Sequence, residues 1–153
     1  MVYVDESGLD EEVQREYGYA GRGERLAGEV SGKRFVERYS IISGLCSGNA
    51  LAPWVFNGYC DTKVVLTWVK HVLVPELKTG LTVVMDNASF HKAPAIRQAI
   101  EAAGCQLLFL PPYSPDLNPI EKFWAKVKAW LRKMACPLIP LLKLVDAFFQ
   151  KSN

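Results

Sequence analysis

At 153 residues the chain suits a single domain with its own core, and with half its residues hydrophobic and 22% charged its composition is that of an ordinary globular protein. A net charge of +2 excludes nucleic-acid binding through bulk charge, so any such contact must rest on local clusters of Lys and Arg. The four cysteines, Cys46, Cys60, Cys105 and Cys136, lie far apart without a Cys-x-x-Cys pair, which argues against a zinc site or a disulfide scaffold and for free thiols in a reducing cytosol.

Asp5 and Glu6 interrupt the start too early for a signal peptide. Val2 to Asp5 reads as a short buried strand leaving through Ser7-Gly8. Residues 9–34 are polar and irregular and carry Tyr17, Tyr19, Arg22, Glu24 and Arg25, as expected of an exposed loop. Arg38 to Cys46 and Ala50 to Phe56 are apolar runs across a Ser47-Gly48-Asn49 turn, an antiparallel hairpin beside which the first strand is expected to pair. Asp61 caps a predicted helix through about Leu77, with Val64, Val65, Trp68, Val69, Val72 and Leu73 at helical spacing.

Leu81 to Asp86 is a continuous apolar strand of the parallel, doubly covered kind. A helix over Ala93 to Ala103, closed by Gly104, and a strand over Cys105 to Leu110 complete a right-handed crossover. The next helix begins at Pro119 with Asn118 as its cap, and Ile120, Phe123, Trp124, Val127, Leu131 and Met134 line its apolar face. Leu138 to Phe149 reads as a final short helix, broken by Pro140, Lys143 and Asp146 and below the roughly 20 apolar residues a bilayer requires. The chain is thus expected to be one α/β domain over residues 1–153, soluble and cytoplasmic. Its mixed sheet has three antiparallel strands and then two parallel ones, with helices on both faces.

Three acids stand apart. Asp5 and Asp86 each close an apolar strand, and open α/β sheets bind ligands beyond the carboxyl ends of their strands. Two carboxylates forced together there raise one another's pKa, a conflict that a hard divalent cation resolves. Glu121, separated from Asp86 by thirty-four residues and carried by a helix after a proline-rich turn, is placed as an adaptable third ligand. Two Mg²⁺ or Mn²⁺ ions about 3.5–4 Å apart would suit phosphodiester cleavage. Taken singly, each acid also reads as a helix cap or a solvated charge.

The other acids compete less well. Asp61 serves as a cap, Asp116 fits Asx-turn chemistry, Asp10, Glu11 and Glu12 form a solvated run, and strand alternation points Glu6 away from Asp5. His91 either positions a water or phosphate beside the metals or caps the next helix, while Asn87 is placed to orient Asp86. Glu121, Ala125, Lys128 and Arg132 share one helix stripe flanked by Lys122, Lys126 and Lys133. That stripe reads as a DNA-backbone track or as the solvated face of an amphipathic helix. No Gly-x-x-x-x-Gly-Lys loop appears, so no nucleotide cofactor is expected.

Val2-Tyr3-Val4-Asp5-Glu6-Ser7-Gly8, Val83 through Lys92 (VVMDNASFHK) and Leu110 through Trp124 (LPPYSPDLNPIEKFW) resemble the DDE transposases, specifically the bacterial IS630 branch of the IS630/Tc1/mariner superfamily. The likeness runs from about residue 2 to 134, and its third segment is highly specific. It implies a ribonuclease H-like fold and Mg²⁺- or Mn²⁺-dependent cleavage and strand transfer at transposon ends, with insertion at TA dinucleotides. Asp5, Asp86 and Glu121 match the family's metal-binding acids, and Asn87, His91 and Asn118 fall within the matching segments as supporting or DNA-positioning residues.

The resemblance also implies DNA as partner and a homo-oligomeric active form. Members carry a helix-turn-helix region ahead of the catalytic domain, whereas this chain opens almost on the first catalytic strand, so a catalytic domain alone is expected. Two other readings are a remnant that only binds DNA or a partner subunit, and a host nuclease of the same fold.

Overall fold

A computed structural model describes residues 1–9, 38–134 and 141–151. The polar loop expected over most of 9–34, with its tyrosines, arginines and Asp10–Glu12 run, lies largely outside these residues, as do Cys136 and the first residues of the expected final helix.

Strands β1 (Val2–Gly8), β2 (Tyr39–Cys46) and β3 (Asn49–Asn57) form the expected antiparallel meander, with Val2 opposite Cys46 and Gly8 opposite Ser40. Ser47 (φ 51°) and Gly48 (φ 83°) turn the hairpin, the paired positive φ angles that match the twist of the flanking strands. The ladder slips between Ile42 and Gly44, and Ala52 takes φ 54°. A helix satisfies that kink. Trp68 Nε1 donates to the Ala52 carbonyl at 2.8 Å, and Glu76 accepts from the Ala52 N–H at 2.9 Å.

Asp61 caps α1 (Thr62–Trp68) by accepting from Val64 N at 2.8 Å. The sequence suggests one helix through Leu77, but the chain widens into a π turn over Val69–Leu73 and tightens to a 3₁₀ turn over Val74–Glu76. Pro75 has no N–H to continue an α ladder, which gives the change of winding a physical reason. Strand β4 (Thr82–Met85), helix α2 (Pro94–Ala102) and strand β5 (Gln106–Phe109) make the parallel crossover, followed by α3 (Ile120–Met134) and α4 (Leu141–Lys151). Gly104 ends α2 at φ 76°, where a Cβ would stand 2.6 Å from Thr79 Cγ2, so only glycine fits this turn.

The sheet order is β3-β2-β1-β4-β5, antiparallel through β1 and parallel from β1 to β5, as expected. Val2 and Val4 pack with Trp68, Leu73, Ile96 and Ile100 against α1 and α2 on one face. On the other, Tyr3, Ile41 and Leu45 meet Trp124, Leu131 and Phe149 of α3 and α4. Helices thus cover both faces, and β1, central and buried on both sides, carries Asp5 just past the level at which β4 ends.

Candidate active site

Register creates this site. Val2 lies opposite Val83 and Tyr3 opposite Val84, so two steps further along the parallel pair Asp5 comes level with Asp86. β4 stops at Met85, while β1 runs on to Gly8 paired with β2. Beyond that point no strand among the described residues walls one face of β1 from the other on the β4 side.

The chain next to β4 closes the site. Leu110 N donates to the Met85 carbonyl at 2.8 Å, holding the exit of β5 beside Asp86. The proline-rich segment then crosses the strand ends through a 3₁₀ turn at Pro115–Leu117 and delivers α3. Asn118 is buried, and its side chain accepts from Ile120 N at 3.4 Å, the cap expected of it. Glu121 follows in the first turn, exposed. A cleft of about 450 Å³ results, lined by Asp5, Asp86, Asn87, Asn118, Glu121 and the Leu110–Pro115 segment.

Asp5 is 8% exposed and accepts a hydrogen bond from Trp124 Nε1 at 3.2 Å. Among the described residues no cation pairs with it. Burial, reinforced by the charges of Glu6, Glu121 and Asp86, raises its carboxyl to about 8. Asp86 behaves oppositely: its hydrogen bond with His91 holds it below the ordinary carboxylate range, against the cost of burial, and Ala88 N donates to the same carboxylate at 3.1 Å.

His91 is fully buried, with Nδ1 2.5 Å from Asp86 and Nε2 3.3 Å from Glu6. Burial alone would lower its pKa, but the contacts with the two carboxylates raise it to about 9. Neither reading of His91 drawn from the sequence describes this placement. Its ring meets no solvent, and the cap position of α2 belongs to Ala93, which offers no side-chain bond.

Glu6 corrects the alternation argument. It does follow Val2 and Val4 by strand period, yet one oxygen each from Asp5, Glu6 and Asp86 gathers within 4.8 Å. The open flank of β1 past Met85 permits this, and the sequence signal was Glu6's place directly after Asp5. Cys60 is a second unforeseen neighbour. Burial and the charges of Glu6, Asp61, Asp5 and Asp86 raise its thiol to about 12, so it stays protonated.

The structure places the remaining candidates on α3. Lys122, Lys126 and Lys133 are exposed, while Lys128 and Arg132 are half-buried on the stripe that begins at Glu121. Asp116 is exposed in its turn and Asp61 is a cap, as expected.

Residues 1–137 match the family model described as DDE superfamily endonuclease. A curated relative, the uncharacterized protein y4pE/y4sA of Sinorhizobium fredii (strain NBRC 101917 / NGR234), is 26% identical over 85 residues, 55% of this chain and 61% of its own length. Among solved structures, the Mos1 transposase paired-end complex with left transposon end aligns with TM-score 0.67 at 18% identity, covering 99% of this chain and 48% of that one. The Mos1 transposase catalytic domain with raltegravir and Mn aligns with TM-score 0.63 at 17% identity, covering 99% of this chain and 70% of that one. At these identities the likeness is one of fold, the ribonuclease H-like sheet and its helices. The chain spans 61% of the curated relative and about half of the transposase in the paired-end complex.

Proposed function

The chain belongs to the DDE superfamily of endonucleases, and on that premise we propose that it is the catalytic domain of a cut-and-paste DNA transposase of the IS630/Tc1/mariner type. Its reactions are hydrolysis of phosphodiester bonds at transposon ends and joining of the freed 3′ ends at TA sites, in a homo-oligomeric assembly. The observation that carries this reading is the level pairing of Asp5 with Asp86 at the open strand ends, with Glu121 lining the same cleft.

The donor set fits Mg²⁺ or Mn²⁺. The acids that line the cleft, Asp5, Asp86 and Glu121, offer only carboxylate oxygen, and among the described residues Asp5 has no positive partner for its ionised form. Asp5, Asp86 and Glu121 would hold the metal, proposed as two ions. Bound there, it would supply Lewis acidity at the scissile phosphate.

The chain's own groups do the positioning. His91 fixes one oxygen of Asp86, and Trp124 fixes one oxygen of Asp5. Asn118 starts the helix that aims Glu121, and Asn87 borders Asp86 at the cleft wall. Lys122, Lys126, Lys128 and Arg132 offer the DNA backbone a track leading away from Glu121. Mos1, a protein of the same fold, is described with a transposon end and with Mn, which supports both the DNA partner and the metal.

Metal-dependent nicking of DNA tests the reading. Asp5→Asn, Asp86→Asn and Glu121→Gln should each lower the Mg²⁺-dependent rate by on the order of a thousandfold, the loss expected when several kcal/mol of charge stabilisation disappear. Near-wild-type cleavage by any one of them would remove that acid from the site, and a wild type inert with both metals would favour a remnant that only binds.

A further inference from the structure

Tyr113 stands in the wall of the acidic cleft and contributes nothing visible to folding. It is 102% exposed, and none of the described residues offers its ring a stacking, cationic or hydrogen-bonding partner. Its backbone takes φ 57°, a left-handed conformation that a bulky residue adopts only under constraint. The constraint is plain in the chain. Pro111 and Pro112 precede it, Pro115 follows, Ser114 Oγ donates to the Pro112 carbonyl at 3.3 Å, and Leu110 ties the segment to β4. A proline-flanked, hydrogen-bonded segment therefore holds an aromatic ring out in water, in the wall of the carboxylate cleft, in a conformation that glycine would adopt without strain.

Tyr59, the other strongly exposed tyrosine among the described residues, is engaged differently. The Arg38 guanidinium lies 3.8 Å from its ring centroid. Among the described residues, none covers either face of the Tyr113 ring.

We propose that Tyr113 is a stacking platform for an unpaired nucleobase beside the scissile phosphate, a positioning residue that sets the DNA strand across the acids. The proposal rests on the DNA-cleaving reading above. A flat aromatic with both faces free takes any base, because every base has a π-face, so its contribution is to strand placement without sequence preference. An extruded base stacked there would fix the sugar-phosphate link next to it, which is the link the carboxylate cluster faces.

The experiment measures binding of the whole chain to a fluorescein-labelled duplex with a short unpaired segment, in Ca²⁺ buffer, and to the same duplex with abasic sites through that segment. Tyr113→Gly should weaken binding to the base-bearing DNA about tenfold, the order of one lost stack. It should leave binding to the abasic DNA unchanged and melt no lower than wild type, since glycine relieves the strained φ. Tyr113→Trp should bind the base-bearing DNA at least as tightly as wild type. Equal affinity of wild type and Tyr113→Gly for base-bearing DNA, or an equal loss on both DNAs, overturns the stacking role while leaving the nuclease reading intact. Failure of the wild type to bind either DNA overturns the nuclease reading and this one with it.

Discussion

Asp5 in the cleft wall and His91 buried behind Asp86 both hold a proton more tightly in the folded chain than in the unfolded one. Asp5 rises from 3.8 to about 8 and His91 from 6.5 to about 9. A group with a raised folded pKa adds stability below its unfolded value and loses it as pH climbs through the folded value. Asp5 therefore destabilises the fold progressively from about pH 4 to 8, and His91 from about pH 6.5 to 9. Asp86, with its lowered pKa, acts below this window. Metal-free protein in EDTA should melt at steadily lower temperature from pH 6 to 9, by up to about 1.4 kcal/mol per pH unit for each group titrating. Millimolar Mg²⁺ should flatten that slope by holding Asp5 ionised beside a cation. A melting temperature that stays level or rises over this range in EDTA would contradict the arrangement described.

Helix α3 has two jobs that its sequence separates by face. Ile120, Trp124, Val127 and Leu131 are buried against the sheet, and Trp124 reaches Asp5 from that same face. Glu121 begins the outer stripe, which continues through Lys128 and Arg132 with Lys122 and Lys126 beside it. If DNA lies along this stripe, Lys128→Ala and Arg132→Ala should each weaken binding modestly across all sequences and reduce the slope of log affinity against log salt by about 1. Unchanged slopes would make the stripe a solvated helix face. Half-burial of Lys128 and Arg132 adds a control: melting curves must accompany the binding data, since a half-buried long side chain can contribute packing as well as charge.

For the molecule as a whole, the legible features were those that depend on local chemistry and strand order. Apolar runs ending on Asp5 and Asp86, the Asn118 cap and the crossover ending at Gly104 could all be read along the chain, and with them the mixed sheet. Hidden features needed spatial information. That Glu6 reaches the cluster depends on β4 ending at Met85 while β1 continues, a difference in strand length that periodicity does not encode. The burial of His91 depends on Phe90, Glu6 and Asp86 packing around one 3₁₀ turn, and Cys60, in the segment that follows β3, comes within reach of the acids only in the folded chain. The change of winding after Trp68 had a local cause in Pro75, but helical spacing masked it.

Asp5, Asp86 and Glu121 are proposed to hold divalent metal together in the cleft. Anomalous diffraction from crystals soaked in millimolar Mn²⁺ tests it most directly. Mn²⁺ density is expected in the cleft at coordination distance from Asp5 and Asp86, with Glu121 turned toward it, and should be lost in Asp86→Asn crystals. An empty cleft under the same soak, or Mn²⁺ held equally well by the Asp86→Asn variant, would contradict it.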